Sequence, residues 1–195
     1  MADSHPPDPS HLVHALRVTP GRRVDLAHDF DPAFRGEWRK RDADAEVTRN
    51  VTRLTELQAR LAAEGINGLL VILQGIDASG KDGTIRHVMS GVNPQSVTVH
   101  SFKVPSTLEL SHDFLWRYQC ALPARGQIGI FNRSHYEEVL VVRVHPELLA
   151  RQKLDSAVPS AELWRRRYRD INDWERHLSE NGFRIVKLLL NLSRD

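Results

Sequence analysis

The sequence has almost no cysteine: Cys120 is the only one in 195 residues. No internal disulfide can form, which excludes a small secreted fold held by cross-links. A lone cysteine without a partner motif reads as a buried or half-buried filler. Long apolar runs are missing too, since none approaches the ~18 residues a membrane span needs. The start, Met1-Ala2-Asp3-Ser4-His5-Pro6-Pro7, has neither the basic nor the apolar stretch of a signal peptide. The expectation is a cytoplasmic protein with no membrane partner. Charge of one sign is not in excess: 27 Lys+Arg stand against 25 Asp+Glu, for a net +2. So small an imbalance does not point to nucleic acid. What is present is an ordinary globular composition, 41% apolar and 27% charged. A chain this long buries ~70% of its unfolded surface, enough for one core.

Two regions differ along the chain. Residues 1–45 carry Pro6, Pro7, Pro9, Pro20 and Pro32, many charges and no clean period. They read as an irregular N-terminal arm, with the core over 46–195. From residue 46 to 64, Val47, Val51, Leu54, Leu57 and Leu61 fall three or four apart, one face of a helix. Gly65 and Gly68 close it. The run Leu69-Leu70-Val71-Ile72-Leu73 follows without polar alternation, as in a parallel strand buried on both faces. Further strands are expected over Val97–His100, Gln127–Phe131 and Phe183–Leu190. Helical patterns over 83–91, 107–119, 136–150 and 160–180 separate them, the last stopped by Asn181-Gly182. This alternation implies an α/β fold, a central parallel sheet with helices on both faces.

The strongest local pattern follows the first strand directly. Gly75-Ile76-Asp77-Ala78-Ser79-Gly80-Lys81-Asp82-Gly83 fits Gly-x4-Gly-Lys, a phosphate-binding loop, in the strand-loop-helix context that gives the motif meaning. Gly75 and Gly80 let backbone N–H groups turn onto phosphate oxygens. The helix after the loop points its positive end at the same place. Lys81 adds a point charge. Asp82 stands where the general motif has a Mg²⁺-binding Ser or Thr. Two bare acids in such a cradle would repel the ligand, so Mg²⁺ is expected between phosphate and Asp77 and Asp82. A plain glycine-rich turn is the bland alternative.

Ligands of doubly wound sheets sit at the carboxyl ends of strands. The third strand ends in Asn132-Arg133-Ser134-His135-Tyr136-Glu137-Glu138. Asn132 occupies a position where many phosphate-loop enzymes carry a metal-binding acid. Arg133 is the obvious cation for charge developing on a transferring phosphoryl group, with helix capping as the alternative. His135 reads as structural, because phosphoryl transfer to an anionic phosphate needs no strong base. Lys103, just past the second strand, reaches a phosphate or is simply solvated. The run Trp164-Arg165-Arg166-Arg167-Tyr168-Arg169 covers more than one helical turn and reads as a solvated face with one or two functional arginines.

These residues together resemble the family-2 polyphosphate kinases over about 65–195. The resemblance rests on the loop with its Asp after the Lys, and on Phe102-Lys103-Val104-Pro105 with His112-Asp113-Phe114-Leu115-Trp116-Arg117. It rests further on Phe131 to Leu140 with Arg143-Val144-His145, and on Arg167-Tyr168, Ile171-Asn172, Glu175 and Asn181-Gly182. It implies a three-layer P-loop kinase-like fold and Mg²⁺-dependent phosphoryl transfer between inorganic polyphosphate and AMP, ADP or ATP. It implies catalytic roles for Asp77, Lys81, Asn132 and Arg133. Phosphate or nucleotide binding falls to Gly75, Ala78, Ser79, Gly80, Lys81, Asp82, Gly83, Lys103 and Glu137. Asn132 in place of Asp resembles the branch that accepts both AMP and ADP. The expected assembly is a homo-oligomer, a dimer or tetramer. Family members continue beyond the strand at Leu190 into a helical lid, so the expectation here is a core truncated before that lid. An ATP-dependent nucleotide or small-molecule kinase, and a non-catalytic nucleotide- or polyphosphate-binding domain, are the alternative readings.

Overall fold

The structure is a computed structural model that describes residues 8–154 and 160–192. Helices α1 (Pro9–Leu16) and α2 (Leu26–Asp29) precede the long α3 (Lys40–Glu64). Strand β1 (Gly68–Gly75) leads through the loop into α4 (Lys81–Val88) and then β2 (Val97–Ser101). The short α5 (Trp116–Cys120) precedes β3 (Ile128–Asn132). Two short helices, α6 (Val141–Val144) and α7 (Pro146–Ala150), come before α8 (Ser160–Glu180) and β4 (Phe183–Leu190).

The sheet order is β2-β3-β1-β4, with every pairing parallel. The apolar run predicted as a two-face-buried strand is the inner strand β1, where Leu70, Ile72 and Leu73 are 0–3% exposed. Its two faces feed two cores. Leu70 and Ile72 pack with Tyr118, Ala121 and Phe131, flanked by Trp174 of α8. Leu73, Ile128 and Ile130 pack against Leu61 of α3 and Ile85 of α4. Helices therefore cover both faces, and the α/β reading holds.

Element limits differ where apolar periodicity is a poor guide. Helix α3 begins at Lys40, not 46, because its first turns are charged and solvated. The expected boundary between arm and core thus falls inside a helix. The predicted helix over 107–119 is two pieces, a 3₁₀ turn at Glu109–Ser111 and α5. Asp113 separates them by accepting the Leu115 N–H at 2.9 Å, a local bond that competes with the helix. The predicted helix over 136–150 is three pieces, and Pro146 lacks the N–H that would continue α6 into α7. Strand β4 is an edge, with Val186, Leu188 and Leu189 43–50% exposed. Cys120, the last residue of the five-residue α5, is exposed and not a filler.

Candidate active site

The sheet register brings the functional loops together. Leu73 of β1 pairs with Asn132 of β3, and the Arg133 N–H donates to the Leu73 carbonyl at 3.0 Å. The carboxyl ends of β1 and β3 thus open side by side, with Ser101 of β2 paired to Asn132 on the far side. Among the described residues only two non-glycine residues have positive φ: Ala78 at 66° in the loop and Arg133 at 62°. Such backbone costs roughly 1–2 kcal/mol for a residue with a Cβ. Both lie where the sequence placed ligand contacts, and strain of this kind gathers at functional sites.

Within the loop, Gly80 turns left-handed at φ 81° and caps α4, whose first residue is Lys81. Lys81 is only 8% exposed. Its ammonium donates to the Gly75 carbonyl at 2.9 Å, the Ile76 carbonyl at 2.8 Å and Ser79 Oγ at 3.2 Å. The charge is therefore held inside the cradle and is not waving in solvent. Gly83 lies in the first turn of α4, with open space where a Cβ would be.

The two loop acids each meet the end of β3. Asp82 accepts from the Asn132 amide at 2.5 Å, and that amide also reaches Ser101 Oγ at 3.4 Å. Asp77 pairs with the Arg133 guanidinium. Arg133 also lies 3.8 Å from Glu137, which accepts from the Gln74 amide. The Ser134 hydroxyl donates to Gln74 Oε1 at 3.3 Å. Two side-chain sets therefore meet at the ends of β1 and β3, Asp82 with Asn132 and Asp77 with Arg133 and Glu137, while Lys81 is bonded separately inside the loop. Lys103 is exposed and stands at the rim of the site. It lines a small cavity of about 80 Å³ with Arg117, Arg133 and Glu137. That cavity adjoins a cleft of about 460 Å³ walled by Glu109, Arg117, Glu138, Gln152, Arg166 and Arg167.

Sequence reasoning missed the wall between the two cavities. Glu138 is 2% exposed and accepts from Arg117 at 3.1 Å, Tyr118 at 3.2 Å and Gln152 at 2.9 Å. Arg167 is also 2% exposed and donates to the Glu138 carbonyl at 2.9 Å. So the basic run on α8 is not a solvated face throughout, because Arg167 lies in the core. Arg117 donates to the Lys103 carbonyl at 2.8 Å and so fixes the segment that carries Lys103. Burial, with the Glu138 carboxylate beside it, pushes the Tyr118 hydroxyl well above its ordinary pKa. Tyr118 therefore stays a neutral donor. One signal for this wall was present, namely an arginine run with too many cations for one face.

His135 is fully buried, 3.1 Å from the Glu175 carboxylate. Burial lowers its pKa, so the neutral ring donates from Nε2. Burial alone would raise Glu175, but hydrogen bonds from His135, Lys187 and Tyr136 outweigh it and bring the carboxyl to about 2. This network pins the 3₁₀ turn after Arg133 to α8 and β4, a structural role for His135.

A parallel sheet with a lysine-bearing phosphate loop and an arginine at adjacent strand ends defines a phosphate-loop α/β protein. The family model for polyphosphate kinase 2 matches residues 37–195. The chain is 48% identical over 188 residues to an ADP-polyphosphate phosphotransferase of Rhodopseudomonas palustris, covering 92% of this chain and 63% of that protein. It is 46% identical over 184 residues to an AMP/ADP-polyphosphate phosphotransferase of Meiothermus ruber, again covering 92% and 63%. The crystal structure of a polyphosphate kinase 2 from Arthrobacter aurescens superposes with TM-score 0.80 at 40% identity, over 98% of this chain and 64% of that one. The chain belongs to the polyphosphate kinase 2 family. It spans 63% of the length of each of these two curated relatives, somewhat under two thirds.

Proposed function

We propose that this chain carries the phosphoryl-transfer centre of an enzyme that moves phosphoryl groups between inorganic polyphosphate and AMP or ADP. The observation that carries the reading is the buried Lys81 ammonium inside its loop, with Arg133 held by Asp77 at the adjoining strand end. The names of the two curated relatives support the substrate pair.

Phosphoryl transfer asks the protein mainly for positioning and for charge where the transferring group lies. Lys81 offers a cation already oriented by three oxygens, so little reorganisation is needed when phosphate arrives. Arg133 meets an incoming phosphoryl group by exchanging Asp77 for phosphate oxygens, which its planar fork matches. Asn132 keeps Asp82 in place. Gln74 and Arg133 keep Glu137 facing the acceptor side, where its carboxylate weighs against a second negative phosphate. The acceptor lies in the cavity of Lys103, Arg117 and Glu137, with its nucleoside toward the larger cleft. The acceptor phosphate is already anionic, so no base is required and the buried His135 takes no part.

The loop fits Mg²⁺. Asp77 is 84% exposed at its side chain, and Asp82 is exposed on the next turn. These are hard oxygen donors beside a phosphate cradle. Among the described residues no cluster of three or more His, Cys, Asp or Glu could hold a metal alone. Mg²⁺ needs none, since it commonly takes one or two carboxylates with phosphate oxygens and water. Asp77 and Asp82 would hold it. Its chemistry there would be to neutralise charge between phosphate groups.

The test measures ATP formed from ADP, and ADP formed from AMP, with polyphosphate as donor and with ATP as donor for AMP. Polyphosphate-dependent turnover that is lost in Lys81→Ala is the expected result. Turnover with ATP as the only effective donor would overturn the reading.

A further inference from the structure

We propose that Gln74 is a positioning residue of the phosphoryl-transfer centre, a restraint that keeps Glu137 from closing on Arg133. The proposal rests on the reading above, in which Arg133 meets the incoming phosphoryl group. Its first ground is where Gln74 stands and what it bonds. Side chains alternate along a strand, so Leu70, Ile72 and Gln74 share one face of β1. Leu70 and Ile72 pack in the core with Tyr118 and Phe131. Gln74 ends that apolar row with a half-buried amide, and both ends of the amide bond the segment after β3. Its Nε2 donates to Glu137 Oε1, and its Oε1 accepts from the buried Ser134 hydroxyl at 3.3 Å. The Ser134 oxygen is itself held, because it accepts the Tyr136 N–H at 3.2 Å as the cap of the 3₁₀ turn. A carboxylate only accepts and a hydroxyl can donate, so this order of partners fixes which way the amide points.

The second ground is that Arg133 has two acids to choose between. Its backbone is set at φ 62°, so only its side chain decides where the guanidinium goes. Asp77 pairs with it from the loop and is 84% exposed. Glu137 stands 3.8 Å away and is 13% exposed. Among the described residues no other cation lies within ion-pair distance of Glu137. An exposed partner is a weak one, because water screens it. A partner held out of water attracts more strongly. Asp77 therefore yields Arg133 to a phosphate more easily than Glu137 would.

The third ground is the gap itself. A charge-assisted bond from arginine to carboxylate closes to about 2.7–2.9 Å. Glu137 stays outside that range while one of its oxygens is taken by Gln74. Without the amide, a swing of roughly 1 Å completes the pair. The guanidinium fork that matches phosphate oxygens would then be occupied by the wrong anion. Gln74 thus acts through Glu137 on Arg133 and touches no substrate.

The test measures tripolyphosphate affinity by calorimetry at fixed Mg²⁺, with polyphosphate-dependent turnover beside it and circular dichroism as the check on the fold. The variants are Gln74→Leu, Gln74→Glu, Glu137→Gln, Arg133→Ala and each Gln74 change combined with Glu137→Gln. Gln74→Glu keeps the side-chain shape, and its carboxylate repels Glu137 toward Arg133. Both Gln74 variants should lose roughly tenfold in affinity, the worth of one charge-assisted hydrogen bond, and turnover should fall with it. Glu137→Gln removes the competing charge, so each double variant should match Glu137→Gln alone. In Gln74→Glu/Glu137→Gln the amide and the acid trade places and their hydrogen bond re-forms. A merely structural Gln74 gives no such rescue, because a second change in a damaged contact does not restore phosphate binding. Double variants that bind no better than their Gln74 parents overturn the proposal. So does wild-type affinity in both Gln74 variants when Arg133→Ala has lost it. Arg133→Ala that binds and turns over like wild type strikes the functional reading of Arg133, and this proposal with it.

Discussion

Replacing Glu138 tests whether the hidden wall between the two cavities is what holds the site open. The Glu138 side chain is 3% exposed, between Arg117 at 8% and Arg167 at 2%. Glu138→Ala leaves two guanidinium groups buried without their shared anion and removes the acceptor of Tyr118 and Gln152. Breaking a buried ion pair from one side costs about 3–5 kcal/mol. With a urea m-value of about 2–3 kcal/mol/M for a chain of this size, the unfolding midpoint should fall by roughly 1–2 M. Glu138→Gln keeps the shape and one acceptor oxygen and should lose less. Replacing Arg117, Glu138 and Arg167 together by apolar residues of similar volume removes all three charges and should cost less than Glu138→Ala, because no charge is stranded. The measurement is urea unfolding followed by circular dichroism and tryptophan fluorescence. A Glu138→Ala midpoint within ~0.2 M of wild type refutes the reasoning, since a two-sided buried ion pair cannot be lost so cheaply.

Lys81→Ala should lower turnover by on the order of 10²-fold or more, with the circular dichroism spectrum retained, because a preoriented charge at the transferring phosphate is removed. Glu137→Ala should change the ratio of AMP to ADP turnover, and an equal fall in both rates would place Glu137 in general catalysis instead. Asp77→Asn should weaken the Mg²⁺ dependence of phosphate binding while leaving Arg133 available, read by titrating Mg²⁺ against tripolyphosphate affinity. Glu175 is held at about 2 against an ordinary 4.5, so its share of stability, roughly 3 kcal/mol, is present above pH 4.5 and lost as pH falls toward 2. Glu175→Gln should flatten the fall in urea midpoint over that range, and an unchanged acid profile would show that the network does not act this way.

The sequence by itself determined the parts whose physics is local. Leu69 to Leu73 has no polar alternation, and only a strand covered on both faces tolerates that. Gly75 to Gly83 names its own loop, because glycine spacing, a lysine and a following helix are needed together to cradle phosphate. Asn181-Gly182 stops α8 where a left-handed residue is needed, and Gly182 has φ 87°. Tertiary structure decided what depends on partners far along the chain. That Asn132 holds Asp82, and Arg133 holds Asp77, follows from parallel register across a crossover of more than fifty residues. That Arg167 is a core residue while Arg165 and Arg166 are solvated depends on which face of α8 meets Glu138, and a run of identical charges carries no such phase. The breaks at Asp113 and Pro146 were local, yet apolar spacing concealed them by continuing across both. The Asn191 amide donates to the Phe30 carbonyl and so fastens the N-terminal arm across 161 positions, and no pattern along a sequence records such a contact.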